Sequence, residues 1–129
     1  MTSSSPGLVL IVDDNEKNRR LVRDVLRNSG FRTIEAASGG EGIALAAERR
    51  PDVILLDLRL PDMDGTEVAR RLGVGADTAR IPVVALSALR SAGGSESLRS
   101  AGFAGYLEKP IDVSRFPDQV RGYCRPFNA

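Results

Sequence analysis

The chain has 129 residues, 42% of them apolar, and a formal net charge of +1. That length fits one domain with a single good core, and the apolar share argues for a globular fold rather than disorder. The near-zero charge offers no long-range field for nucleic acid or an anionic membrane, and no apolar run approaches the roughly 20 residues that cross a bilayer. Residues 1–7 are small and polar without an apolar stretch, so they read as a flexible leader rather than a signal peptide. Cys124 has no second cysteine to pair with. These features point to a cytoplasmic protein.

Leu8 to Val12 is wholly aliphatic and reads as a strand buried on both faces, as in a parallel sheet. It ends on Asp13-Asp14. Asn15 to Ser29 carries Leu21, Val22, Val25 and Leu26 at the spacing of an amphipathic helix. Asp14 and Asn15 both suit its N-cap, and Gly30 its C′ position. Phe31 to Ala36 reads as a short second strand. Ser38-Gly39-Gly40 breaks the chain before an Ala-rich helix over Glu41 to Arg50, with Ile43, Ala44 and Ala47 inward and Pro51 as its stop.

Val53 to Leu56 is the third strand, four aliphatics that end abruptly on Asp57. An acid directly after a buried apolar run costs stability unless it is used. Pro61, Asp62 and Gly65 mark a turn. Asp64 should cap a helix running through about Arg71, with Val68 and Leu72 facing the core. Ile81 to Leu86 is the fourth strand, ending on Ser87. Ala88 to Gly102 should hold a fourth helix, weakened in its first half by Gly93-Gly94. Phe103 to Leu107 is the fifth strand, followed by Lys109-Pro110. Asp112 opens a fifth helix containing Phe116, Val120 and Tyr123, with an irregular first turn at Pro117. Residues 8–124 thus form one domain and residues 125–129 a tail. Five strands alternating with five helices give an α/β fold, a parallel sheet with helices on both faces and right-handed crossovers.

Four of the five strands end in a polar or charged group: the first at Asp13-Asp14, the third at Asp57, the fourth at Ser87 and the fifth just before Lys109. In a doubly wound sheet these ends meet at the edge where ligands bind. Three carboxylates crowded together repel one another and call for a cation. An all-oxygen ligand set suits Mg²⁺, which keeps several waters and favours phosphates. A lysine and a serine opposite the metal could hold the other oxygens of a phosphoryl group, leaving Asp57 placed as its nucleophilic acceptor. The basic residues sharpen the lysine: sixteen are Arg and only Lys17 and Lys109 are Lys. Composition does not decide between codon bias and a lysine kept where a guanidinium would not serve.

Leu10-Ile11-Val12-Asp13-Asp14-Asn15, the stretch from Leu55-Leu56-Asp57 to Asp62-Met63-Asp64-Gly65, Ala85-Leu86-Ser87-Ala88 and Lys109-Pro110 together resemble the receiver domain of bacterial two-component response regulators. The likeness runs from Leu8 to about Tyr123. It implies a flavodoxin-like fold with strand order 2-1-3-4-5, and Mg²⁺-dependent transfer of a phosphoryl group from a sensor histidine kinase or histidine phosphotransfer protein to Asp57. It further implies Asp14 as a direct Mg²⁺ ligand, Asp13 as an acid acting through metal-bound water, and the Arg59 backbone carbonyl as a further ligand. Ser87 becomes the switch hydroxyl, Lys109 the partner of the phosphate and Tyr106 the aromatic switch. The output surface would be the fourth helix, fifth strand and fifth helix, read by a downstream effector protein. The chain would be a signalling phospho-acceptor that resets by hydrolysis, not a turnover enzyme.

Plainer readings stand beside these. Asp13 or Asp14 could serve only as a helix cap, Ser87 as an ordinary residue after a strand, and Lys109 as a solvated turn residue. Tyr106 reads equally as amphipathic packing with a wet hydroxyl, and Arg19, Arg20, Arg23 and Arg27 as a solvated face of the first helix. Arg59 puts a long cation at the site mouth, where the family's residue modulates hydrolysis of the phosphoryl group. An alternative to a stand-alone regulator is the receiver piece of a hybrid histidine kinase or multidomain regulator. A phosphatase with an aspartate nucleophile usually needs a second acid two residues on, and Arg59 occupies that place.

Overall fold

The computed structural model describes residues 7–87, 101–108 and 111–124. Within them five strands form one parallel sheet: β1 (Leu8–Val12), β2 (Arg32–Ala36), β3 (Val53–Asp57), β4 (Val83–Ser87) and β5 (Gly105–Glu108). Their order across the sheet is β2-β1-β3-β4-β5, the flavodoxin-like order expected. The described helices are α1 (Glu16–Asn28), α2 (Gly39–Arg49), α3 (Gly65–Val74) and α4 (Phe116–Tyr123). Residues 88–100 of the helix expected between β4 and β5, with Gly93 and Gly94, lie outside those described, as does Lys109, while Ala101 and Gly102 at its expected end form a turn, Gly102 with φ 102°.

The continuous aliphatic runs are explained by the two layers they feed. Successive strand residues point to opposite faces, so β1, β3 and β4 must be apolar at every position if both faces are covered. Leu10, Val12, Ile54, Leu56, Val83 and Ala85 pack beneath Ala46 of α2 and Val68 and Leu72 of α3. Val9, Ile11, Val53, Leu55, Val84 and Leu86 pack beneath Val22 and Leu26 of α1 and Phe116 and Val120 of α4.

Several local expectations change in the folded chain. Asn15 caps α1, its side chain accepting from the Asn18 amide, and Gly30 beyond the helix takes φ 95°. Of the predicted apolar stripe Val22 and Leu26 are buried, whereas Leu21 is 44% exposed. Four residues at that spacing subtend a wider arc than a two-strand contact covers. The first turn of α2 begins at Gly39, with Ser38 as N-cap accepting from Glu41, so Ser38-Gly39-Gly40 starts the helix instead of breaking the chain before it. That two-residue extension goes with a different inward face: Gly39, Gly42 and Ala46 are buried, Ile43 is half-buried, and Ala44 and Ala47 face solvent. Pro51 does end α2, after Arg50 in a left-handed conformation at φ 46°.

Asp64 occupies the α3 N-cap position without a side-chain cap bond, and α3 runs on to Val74. The fifth strand starts at Gly105 instead of Phe103, whose ring packs in the α2–α3 layer. Residues 113–115 form a turn, and α4 starts only at Phe116, with Pro117 at its second position, where a missing amide is tolerated. The Asp112 carbonyl accepts from the Arg115 and Phe116 amides instead of opening a helix directly.

Phe116 is fully buried and is the first residue of the short α4. Phe116→Ala should cost about 3–5 kcal/mol, read as a lowered urea midpoint, with the sheet signal in circular dichroism retained at low denaturant.

Candidate functional site

The register of the sheet builds the site. Val12 of β1 pairs with Leu56 of β3, so the next residues on the two strands, Asp13 and Asp57, emerge side by side at the carboxyl edge. Asp14 follows at the start of the connection to α1. One carboxylate oxygen from each of Asp13, Asp14 and Asp57 lies within 4.8 Å of the others. Asp13 is fully buried, Asp57 half-buried and Asp14 exposed, a gradient from the sheet floor to solvent.

Each wall of this pocket is tied down. The Asp13 amide donates to the Ala36 carbonyl at 3.0 Å, and Asp13 Oδ1 accepts from the Asn15 amide at 2.9 Å. The Asp13 carbonyl accepts from Arg19 Nη1 at 2.9 Å, while Arg19 Nε donates to Glu35 Oε1 at 3.2 Å. On the opposite wall Asp57 Oδ1 accepts from the Arg59 amide at 3.2 Å. The turn beyond is closed by the Gly65 amide on the Leu58 carbonyl at 2.9 Å and by an antiparallel bridge between Arg59 and Asp64. A Cβ on Gly65 would sit 2.8 Å from the Leu58 Cα and 2.9 Å from the Asp57 carbonyl oxygen, so only glycine lets α3 begin this close to the Asp57–Leu58 peptide.

Asp62 is more than a turn residue. Its two carboxylate oxygens accept from the Gly39 amide at 2.8 Å and the Gly40 amide at 2.9 Å, which latches the tip of the β3–α3 loop onto the first turn of α2. Those amides, Gly40's first, hold the Asp62 carboxyl below its ordinary 3.8. The signal in the sequence was an acid in one loop and a Ser-Gly-Gly helix start in another, 22 residues apart, which no local pattern joins. Arg19, expected on a solvated face, is instead part-buried behind Asp13.

Of the other expected site residues, Ser87 is the last residue of β4, one position beyond the Asp57–Leu86 pair. Tyr106 of β5 lies opposite Ala85 and packs half-buried against the α2–α3 layer. Lys109 lies outside the described residues. Arg59 is exposed at the pocket's rim. Three anionic oxygens in so small a volume repel one another, and a hard divalent cation with oxygen ligands offsets that repulsion. The donor set therefore fits such an ion.

Residues 9–121 match the family described as the response regulator receiver domain. The chain belongs to that family. Among its relatives, the polar-differentiation response regulator DivK of Brucella anthropi is 42% identical over 118 residues, which cover 92% of this chain and 96% of DivK. DivK of Brucella ovis is also 42% identical, over 89% of this chain and 94% of its own length. Among solved structures, the receiver domain resembles the chemotaxis response regulator CheY4 of Vibrio cholerae, with a TM-score of 0.84 at 28% identity over 90% of this chain and 97% of that one. It also resembles the receiver domain of sensor histidine kinase PA1611 from Pseudomonas aeruginosa, with a TM-score of 0.83 at 31% identity over 91% of this chain and 96% of that one. The PA1611 structure has a magnesium ion coordinated in its active site cleft. Among the described residues of this receiver domain, no helix is long and apolar enough to cross a membrane.

Two predictions test the pocket's second wall. Asp62→Asn keeps one acceptor oxygen and loses the charge. Because the folded-state carboxyl is held below 3.8, its stabilising contribution is fully present above that value and is lost as pH falls below it. The melting-temperature gap between wild type and Asp62→Asn should therefore be constant near neutral pH and close as pH drops through the lowered value. Gly65→Ala should destabilise the domain by about 1–3 kcal/mol through overpacking, and amide shifts at Asp57 and Leu58 should move with it.

Proposed function

We propose that this receiver domain takes a phosphoryl group onto Asp57 and passes the signal on by binding another protein. The reading is carried by the meeting of the Asp13, Asp14 and Asp57 carboxylates within 4.8 Å at the carboxyl edge of the sheet. Asp57, half-buried at the end of β3, would be the nucleophile in an in-line attack. In the transfer the donor's phosphorus–nitrogen bond breaks as a bond from phosphorus to an Asp57 oxygen forms, and the imidazole leaves with the bonding pair. The donor is a sensor histidine kinase or a histidine phosphotransfer protein. Water attacking the acyl phosphate returns Asp57 to its carboxylate and resets the domain.

Mg²⁺ would be held by Asp14, Asp57 and the Arg59 backbone carbonyl, with Asp13 acting through a bound water, and would neutralise charge on the phosphoryl oxygens. Ser87 and Lys109 are assigned to the remaining phosphoryl oxygens, following the family's motif positions. Lysine, a point charge on a flexible stem, suits a moving phosphoryl group, in a chain whose basic residues other than Lys17 and Lys109 are all arginine. Tyr106 is assigned as the switch residue between Asp57 and the output surface formed by the predicted fourth helix, β5 and α4. The 42% identity to DivK favours a regulator of that kind, acting in the cytoplasm through an effector protein.

Incubation with acetyl phosphate and Mg²⁺ should add one phosphoryl group by intact mass, and beryllofluoride with Mg²⁺ should shift amides around the pocket. Asp57→Asn should reduce both responses to background. Uptake that persists in Asp57→Asn, or a wild type indifferent to Mg²⁺, would overturn the assignment.

A further inference from the structure

The Asp13 carbonyl and the side chains behind it carry an inference beyond the acceptor chemistry. We infer that Arg19 is a positioning residue for the acidic pocket: its guanidinium, braced by Glu35, clamps the Asp13 carbonyl and so fixes how the Asp13 and Asp14 carboxylates face Asp57. The inference rests on reading the pocket as a divalent-cation site.

The chain leaves the sheet at Asp13. Up to Val12 the backbone is held by strand pairing on both sides, and from Glu16 onward by the helix. The peptide between Asp13 and Asp14 lies between these two elements, and the exposed Asp14 carboxylate follows its orientation. The Asp13 amide is held by the Ala36 carbonyl at 3.0 Å. The other side of the residue, its carbonyl, is held by Arg19 Nη1 at 2.9 Å. Arg19 reaches back past the start of its own helix to do so, and its Nε is fixed on Glu35 Oε1 at 3.2 Å. Glu35 sits on β2 opposite Ile11, two residues before Asp13, and also faces Arg23 Nη1 at 3.6 Å. The clamp therefore ties β1, β2 and α1 together directly behind the pocket.

Two considerations separate this from surface decoration. The Arg19 and Glu35 side chains are 18% and 26% exposed, whereas the neighbouring Arg20–Glu16 pair is 62% and 64% exposed. An ion pair of the latter kind contributes little. Second, a cation beside a pocket that gathers cations is electrostatically unfavourable to metal binding. Geometry is the compensating gain, because the planar guanidinium fork serves a carboxylate and a carbonyl at once, which an ammonium cannot do in this arrangement.

The opposing signs make the test sharp. Mg²⁺ is titrated into the full-length metal-free protein by calorimetry, and hydrogen exchange of the Asn15 amide, which donates to Asp13 Oδ1, is followed by NMR without metal. Arg19→Met should weaken Mg²⁺ binding roughly tenfold, the low end for loss of a ligand-orienting partner, and speed Asn15 exchange, although loss of a nearby positive charge alone would tighten binding. Arg20→Met removes the same charge one residue along and should leave both readouts unchanged. Arg19→Lys, which keeps charge and stem, should lose a smaller part of the affinity and carries the test if Arg19→Met does not fold. Mg²⁺ binding by Arg19→Met as tight as wild type or tighter, with Asn15 exchange unaltered, overturns the clamp. A wild type that binds no Mg²⁺ overturns the metal reading instead, and the metal-free exchange measurement still decides the clamp.

Discussion

Everything at the functional edge depends on one register: Val12 beside Leu56 in adjacent parallel strands. A slip of one residue would turn each strand's side chains to the opposite face and separate Asp13 from Asp57. The register is secured by burial on both sides of the sheet, where Leu10, Val12, Ile54 and Leu56 serve one layer and Val9, Ile11, Val53 and Leu55 the other. The aliphatic core is thus the device that brings three like charges together, and the cost of that crowding is borne by packing elsewhere.

The two loops that complete the pocket are held by different means. Behind Asp13 the hold is a cation bridging a carbonyl and a carboxylate, part-buried and short-range. Behind Asp57 it is the Arg59 amide on the Asp57 carboxylate, then backbone contacts from Gly65 to Leu58 and Arg59 to Asp64, finished by the Asp62 carboxylate on two amides of α2. Loops placed by a rigid scaffold are where binding residues concentrate, and here each loop has its own anchor onto a neighbouring element. A metal ligand supplied by a backbone carbonyl, as assigned to Arg59, requires such anchoring because no rotamer can correct its aim.

The reach of sequence reasoning can be traced residue by residue. The strand runs of β1, β3 and β4 were legible because a doubly covered strand must be apolar throughout, a pattern that is local in the chain. Asp57 was legible for the same reason: a charge ending four aliphatics has few structural uses. The face of α2 was misjudged, with Ala44 and Ala47 outward and Gly42 and Ala46 inward, because small residues dominate the segment and carry little amphipathic contrast. Leu21 was misjudged because an apolar stripe states what can be buried, while the neighbour's width decides what is.

The sequence by itself determined the alternation of elements, the acids at the strand ends and the likeness to receiver domains, since each is written in local order and spacing. Only the tertiary structure decided that Asp13, Asp14 and Asp57 share one 4.8 Å space, that Asp62 belongs to α2 as much as to its own loop, and that Arg19 stands behind the pocket. Those contacts join segments 6 to 44 residues apart by way of the sheet, and a hydrogen bond formed across such separations leaves no periodicity in the chain to be read.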